Sequence, residues 1–455
     1  MKSIPVIAVF DVGKTNKKLF LFDENYNIVF ERSARFNETV DEDGFPCENL
    51  ESLKLSVYDS LNEIGKLKEF NLQAVNFSAY GASFVYIDAK GQSLAPLYNY
   101  LKPYPEDIKK QFYDTYGDEV KFSFETASPA LGSLNSGLQL YRVKYQKPEL
   151  FKKVKYALHL PQYLSYLVSG QVFSDLTSIG CHTALWDFAR NDYHNWVIKE
   201  QIIDKLALIH PSDETVQSSL PESNYKVGIG LHDSSAALIP YLVSFKEPFI
   251  LLSTGTWAIS LNPFNQSPLT EDELKNDCLN YIQYKGKPVK ASRLFSGHEY
   301  DQQVARIAAH FNQDPVKYRN EASKFEGPKK RKKKDESEPD SQSQKVPFGD
   351  RNLSDFSSDI EAYYQLMEDI VRQQKTLTGY VLKGTLVKRI FVDGGFSKNA
   401  VFMHMLATAF PKLEVYAASM AQATALGTAL AIHDQWNTKP MPHDLIELKY
   451  YSGKI

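Results

Sequence analysis

Three short apolar runs separated by polar turns open the chain, and they predict a meander of strands at Val6–Phe10, Lys18–Phe22 and Ile28–Arg32. From Leu50 the apolar positions recur at three and four residues (Leu50, Leu53, Val57, Leu61, Ile64), which predicts an amphipathic helix. Residues 72–92 then read as a strand, a break at Gly81 and a hairpin turning at Ala89-Lys90-Gly91. Strands mixed with helices in this order predict an α/β layer with a mixed sheet. Between Gly132 and Leu185 the pattern is helical, interrupted by residues 159–180, and Asn191–Pro221 is loop-rich. A domain boundary is expected near Leu242, dividing the chain into residues 1–242 and 243–455. The second half opens on a strand–turn–strand at Phe249 and ends with two glycine-containing entries into apolar helices.

Composition narrows the class. At 455 residues, two domains are the natural expectation, and 43% hydrophobic with 24% charged residues is a globular balance. A net charge of −3 gives no reason to expect nucleic acid as partner. No apolar run is long enough to span a bilayer, and the start of the chain lacks a signal-peptide layout. Cys47, Cys181 and Cys278 are odd in number and widely spaced, which points to buried thiols in a reducing, cytoplasmic setting. Glu326–Lys345 is a basic block followed directly by an acidic, Ser- and Gln-rich one. That order reads as a solvated, self-neutralising surface loop rather than a nucleic-acid patch.

The strand–turn–strand occurs twice, as IAVFDVGKTNKKLFLFDE (Ile7–Glu24) and FILLSTGTWAISLNPF (Phe249–Phe264). A glycine in such a turn lets backbone N–H groups close on an oxyanion, while Thr, Ser and Lys add donors suited to phosphate. Ordinary hairpins use glycine too, so a single copy carries little. Asp11 ends the first strand, placed either to hold Mg²⁺ through water or to start an Asx turn. Lys14 is either a γ-phosphate contact or an exposed turn lysine. In GLHDSSAAL (Gly230–Leu238), Asp233 stands at the mouth of a helix, as a cleft carboxylate or merely an N-cap. His232 has no second His or Cys at ligand spacing, which favours an orienting role over a metal site.

These pieces occur in one order: Asp-x-Gly, Gly-x-His-Asp, Ser-Thr-Gly-Thr-Trp, Gly-Gly-x-Ser-x-Asn and Ala-x-Ala-x-Gly-x-Ala, at Asp11–Asn16, Gly230–Ala236, Ser253–Trp257, Asp393–Asn399 and Ala423–Ala429. The ordered set resembles the FGGY carbohydrate kinases, a branch of the actin/hexokinase-type ATPases, over nearly the whole chain. The resemblance implies an α/β fold of two RNase-H-like domains with ATP and a small-molecule sugar in the cleft between them. It implies Asp233 as catalytic base, Asp11 as the Mg²⁺ carboxylate, and Gly13, Lys14, Thr15, Asn16 and Lys18 as the first phosphate loop. Thr254, Gly255 and Thr256 match the second loop, and Gly394, Gly395, Ser397 and Asn399 the adenosine turn. ETASPALGSLNSGLQL and HLPQYLSYLVSG look like the sugar-side helices of the rhamnulokinase and L-fuculokinase branch, with Gly81, Asn135, Gln139, His159, Gln162 and His232 as candidate sugar contacts. Two positions depart from the family pattern: Gln162 stands where many relatives have Asp, and Phe396 replaces a third glycine of the adenosine turn.

The reaction so implied is ATP-dependent phosphorylation of a sugar hydroxyl, the C1 hydroxyl of a 6-deoxy-ketohexose if the branch holds. Xylulokinase and gluconokinase specificities stay open, as does a sugar-binding sensor that has lost catalysis. The retained Asp11, Asp233 and both loops speak against the sensor. An actin- or chaperone-like ATPase is disfavoured by GLHD and by the long sugar-side region. The sequence assigns no oligomeric state.

Overall fold

The first strand is apolar at nearly every position because both of its faces are covered. In the computed structural model, which describes residues 3–14, 16–319, 347–420 and 422–453, β1 (Ile4–Val12) runs antiparallel to β2 (Lys17–Asp23), and β2 to β3 (Ile28–Ala34). The Lys-rich segment expected as a surface loop, and Thr15, lie outside the described residues. Helix α1 (Leu50–Lys66) buries the residues of the predicted stripe, and the Asn49 side chain caps it by accepting from the Ser52 N–H at 3.0 Å. Strand β4 (Phe70–Ala79) then pairs parallel to β1. Beyond Gly81, β5 (Phe84–Ile87) leads into a turn closed by the Gly91 N–H on the Asp88 carbonyl, the hairpin turn expected at residues 89–91.

The helical region contains α2 (Ser136–Gln146), β6 (Tyr156–His159) paired with β5, and α3 (Leu160–Ser169). The residues read as an interruption from 159 are therefore mostly helix. Pro161 in the first turn starts that helix, and the real break is the four-residue strand before it. Short strands β7 (Thr215–Gln217), β8 (Lys226–Gly228) and β9 (Leu231–His232) complete a sheet ordered β7-β8-β4-β1-β2-β3, with β9 also on β4.

Helix α4 (Asp233–Ser244) follows at once, so the expected boundary at Leu242 falls in its last turn. Strands β10 (Phe249–Thr254) and β11 (Ala258–Asn262) repeat the antiparallel pair. Then come β12 (Cys278–Ile282), β13 (Pro288–Leu294), α5 (Ser296–His310), α6 (Asp359–Leu382), β14 (Arg389–Gly394), α7 (Ala400–Ala409), β15 (Glu414–Ser419), α8 (Ala423–Ala431) and β16 (Glu447–Tyr451). The second sheet runs β12-β13-β11-β10-β14-β15-β16. Each domain thus centres on a seven-stranded mixed sheet whose first hairpin carries one of the glycine turns.

Helices α4 and α8 cross between the two sheets. Ala236 and Ile239 of α4 share a core with Ile7, Val9 and Phe20 of the first sheet and with Ala425 and Ala429 of α8. On its other side α4 sends Leu238 and Tyr241 against Phe249 and Leu251 of the second. The small residues of α8 have a steric cause: a Cβ on Gly427 would sit 1.9 Å from the Ala236 carbonyl oxygen. Helix α8 also meets the first sheet through the Asn76 amide, which donates to the Thr428 carbonyl at 2.9 Å.

Candidate active site

The ends of β1 and α4 bring the two key carboxylates together. Asp11 lies opposite Lys18 on one side and Ser78 on the other, and the Ser78 hydroxyl donates to it at 3.1 Å. Burial, with the charge of Asp233 adding to it, pushes the Asp11 carboxyl up to about 6. Asp233 is the first residue of α4, and its Oδ1 accepts from the Ser234 N–H at 2.6 Å. An N-cap reaches the N–H two or three residues on, and Asp233 does not, so its carboxylate serves something other than helix capping. Burial raises it too to about 6, although a third of the side chain stays exposed to the cleft.

The first loop closes tightly, the Gly13 N–H donating to the Asn16 carbonyl at 2.9 Å. Lys14, named as a phosphate contact, is ion-paired to Glu38 at 2.9 Å, and the Asn16 side chain accepts from Arg35. Lys18 reaches across the cleft, its ammonium 3.3 Å from the Gln422 side chain at the head of α8. A lysine the sequence did not single out holds the loop from behind. Lys17 is buried, pairs with buried Glu48 at 2.9 Å and donates to the Lys14 carbonyl at 3.0 Å.

In the second loop Thr254 faces inward. Its hydroxyl donates to the Asp393 carbonyl and accepts from the Phe396 N–H at 3.0 Å, tying the loop to the adenosine turn and leaving Gly255 and Thr256 as the exposed part. The Ser397 hydroxyl donates to the Gly394 carbonyl at 2.8 Å, and Asn399 caps α7 while donating to the Tyr363 hydroxyl. The second loop meets its neighbours backbone to backbone: a Cβ on Gly394 of the adenosine turn would sit 1.8 Å from the Thr254 oxygen, and one on Gly297 of α5 1.9 Å from the Gly255 oxygen.

Between them lies a cavity of about 450 Å³, bordered by Gly255, Gly395 and Asn399 on the predicted side and by Gly297, Tyr300 and Asp301 of α5 on the other. The α5 wall was not read from the sequence, where SGHEYD shows only ordinary helical periodicity. Phe396, the departure from glycine in the adenosine turn, lines this cavity. Its ring is buried against Phe402 at 4.5 Å and Tyr300 at 5.5 Å.

The sugar-side candidates divide. Gly81 is required where it stands, because a Cβ there would fall 2.8 Å from His232 Cδ2. Asn135 is consumed by internal bonds, its amide donating to the Pro129 and His182 carbonyls. His159 accepts or donates at Ser136 at 2.9 Å, stacks on Phe84 at 4.0 Å, and is held neutral by burial that lowers it to about 3. Gln139 and Gln162 use their NH₂ groups on backbone carbonyls (Ala82 and Gly230), yet their Oε1 atoms are buried with no partner among the described residues. His232 is buried and lowered to about 4, with Nε2 3.2 Å from Asp233 Oδ1. The spacing argument that set His232 apart from other ligand-type residues is corrected by the fold. Cys181 and His182, fifty residues earlier, pack beside it, with Cys181 Sγ 3.3 Å from His232 Nε2. A sequence-local rule cannot see a contact made between loops.

Comparison with known proteins adds the family. A rhamnulokinase of Mannheimia succiniciproducens is 25% identical over 268 residues, 56% of this chain and 52% of that protein. The chain therefore spans about half the length of the curated relative it matches. A crystal structure of a carbohydrate kinase from Novosphingobium aromaticivorans superposes with a TM-score of 0.77 at 22% identity, covering 99% of this chain and 95% of that one. A ligand-bound xylulose kinase from Lactobacillus acidophilus gives 0.79 at 14% identity, covering 99% and 94%. These likenesses support the two-domain fold. The model for the FGGY family of carbohydrate kinases, N-terminal domain, matches residues 6–239, and that for Carbohydrate kinase FGGY, C-terminal domain, matches 246–440. With two paired glycine turns, facing carboxylates and matches along both halves, the chain belongs to the FGGY family of carbohydrate kinases.

Proposed function

We propose that this chain transfers the γ-phosphoryl group of ATP to a hydroxyl of a small sugar, with residues 1–242 and 243–455 as the two closing domains. The observation that carries the reading is the placement of two carboxylates beside the glycine turns, Asp11 at the end of β1 and Asp233 at the start of α4, where burial pushes both up to about 6. Two mutually repelling, half-desolvated carboxylates are what a divalent cation relieves, so the residues fit Mg²⁺, with Asp11 as the group that would hold it. Bound there, Mg²⁺ would supply neutralisation of the phosphate charge. Asp233 accepts the proton of the attacking hydroxyl as the new O–P bond forms and the bond from the γ-phosphorus to the bridging oxygen breaks, releasing ADP. Asn16, Lys18 and Thr256 offer backbone and side-chain donors to the phosphates, Gly13 and Gly255 let the turns close beside them with their own N–H groups on the Asn16 and Trp257 carbonyls, and Gly395 and the α5 wall enclose the nucleoside. Lys14 is free to join them once it leaves Glu38. Closure of the cleft keeps water from competing with the sugar.

The favoured acceptor is the C1 hydroxyl of a 6-deoxy-ketohexose, L-rhamnulose or L-fuculose, supported by the likeness to a rhamnulokinase. The unpartnered oxygens of Gln139 and Gln162 suit hydroxyl donors of an uncharged sugar. A panel of L-rhamnulose, L-fuculose, D- and L-xylulose, D-ribulose and gluconate in a coupled ADP-release assay tests this. Turnover on a 6-deoxy-ketose supports the proposal. Turnover only on another sugar overturns the acceptor, and the absence of any sugar-dependent ADP release overturns the kinase reading.

A further inference from the structure

Beside Asp233 lies a group of side chains that phosphoryl transfer does not need. Cys181, His182 and His232 are all buried, and each offers one ligand-type atom within 4.8 Å of the others'. The Oδ1 of Asp233 is 3.2 Å from His232 Nε2, which sets a carboxylate beside one member of that group of three. One sulfur, two imidazole nitrogens and one carboxylate oxygen are a borderline-soft set, matched to Zn²⁺ and poorly matched to Mg²⁺, which selects oxygen. The second shell serves one of the two imidazoles. His182 Nδ1 lies 3.3 Å from the Leu134 carbonyl, and donating its proton there leaves Nε2 with its lone pair free. His232 lacks the equivalent bond, its Nδ1 being buried with no partner among the described residues.

We propose that Cys181, His182 and His232, closed by Asp233, form an inhibitory Zn²⁺ site in which the metal occupies the lone pair of the catalytic carboxylate. Its inhibitory consequence rests on the reading of Asp233 as base; its existence as a site does not. On binding, the Cys181 thiol gives its proton to solvent, and the thiolate and the Asp233 carboxylate together balance the two positive charges. Burial holds the free thiol well above its ordinary range, so the proton leaves only when the metal arrives. No electron is transferred. His182 itself is held at φ +39°, a left-handed conformation for a non-glycine residue. Zinc here excludes the sugar hydroxyl and leaves the nucleotide cavity untouched, so inhibition is competitive with sugar and not with Mg-ATP.

The test titrates the full chain, free of nucleotide, with Zn²⁺ alone, and uses Co²⁺ as a spectroscopic probe. One-to-one binding is expected, with a thiolate-to-cobalt charge-transfer band and tetrahedral d–d absorption. Cys181→Ser should abolish that band and weaken Zn²⁺ binding by about tenfold or more. The same variant should turn over at the wild-type rate without zinc and resist its inhibition. His182→Gln should weaken binding likewise, and it serves as the second variant if thermal melting shows Cys181→Ser misfolded. No stoichiometric binding, or a cobalt spectrum unchanged in both variants, overturns the site. Zinc inhibition that competes with Mg-ATP and persists in Cys181→Ser overturns the inhibitory mechanism. If the cobalt spectrum appears as described while no sugar releases ADP in any variant, the metal site stands and the kinase reading falls.

Discussion

Replacing Asp233 by Asn separates the chemistry of the site from its stability, because the two effects have opposite signs. Losing the base should lower kcat by about 10²–10⁴-fold, or ~3–5.5 kcal/mol of transition-state stabilisation, with ADP affinity nearly unchanged. The carboxylate also carries a folding penalty. Its pKa rises from an ordinary 3.8 to about 6 in the folded chain, so the ionised form is favoured by unfolding. At 1.36 kcal/mol per tenfold that interval is roughly 3 kcal/mol. With a third of the side chain in solvent, screening leaves roughly half of it, on the order of 1 to 2 kcal/mol. The penalty is absent below pH 3.8, grows as pH rises towards about 6 and is complete above pH 7. Asp233→Asn should therefore melt higher than wild type at pH 8 and alike at the acid end. Sugar-dependent ADP release, ADP binding by calorimetry and melting curves at several pH values read all three quantities. Near-wild-type kcat would refute the role as base, and an unchanged melting difference across pH would refute the electrostatic origin of the penalty.

Three further outcomes are expected. Asp11→Ala should weaken nucleotide binding in the presence of Mg²⁺ while sparing sugar affinity, and a titration showing unchanged nucleotide affinity would count against the metal role. The kcat/KM of the wild type should fall below pH about 6 and drop well below the tenth of its plateau that one group alone gives near pH 5, because Asp11 titrates over the same range. A profile flat to pH 5 would contradict it. Gly81→Ala places a methyl 2.8 Å from the His232 ring and should raise the KM for sugar several-fold with little change for ATP; equal effects on both would show a general disturbance instead.

The strands and first helix were legible because their signals are local: the stripe of Leu50, Leu53, Val57, Leu61 and Ile64 needs only its own periodicity. Asp11 and Asp233 could be picked out because one closes a strand and the other opens a helix, each within three residues of a glycine. What the sequence hid is tertiary. Cys181 and His182 lie fifty residues from His232, Lys17 meets Glu48 thirty-one residues on, and Gly297 of α5 packs on the Gly255 carbonyl. None of these leaves a periodic or spaced trace. Thr254 shows the converse: its residue type suits phosphate, but the neighbouring turn takes its hydroxyl.

The contact between Gly427 and the Ala236 carbonyl bears on how the molecule can move. Two backbones already in van der Waals contact cannot approach further, and the shared core around Ala425, Ala429 and Ile239 resists their separation. What is left is rotation in the plane of contact. The crossing is then a bearing, with the cleft as the lever arm on one side of it. A rotation there would shift Lys18 against Gln422, the place where the jaws meet at 3.3 Å. A methyl group added at the bearing, far from any ligand, would change the stroke of the jaws without touching what they hold.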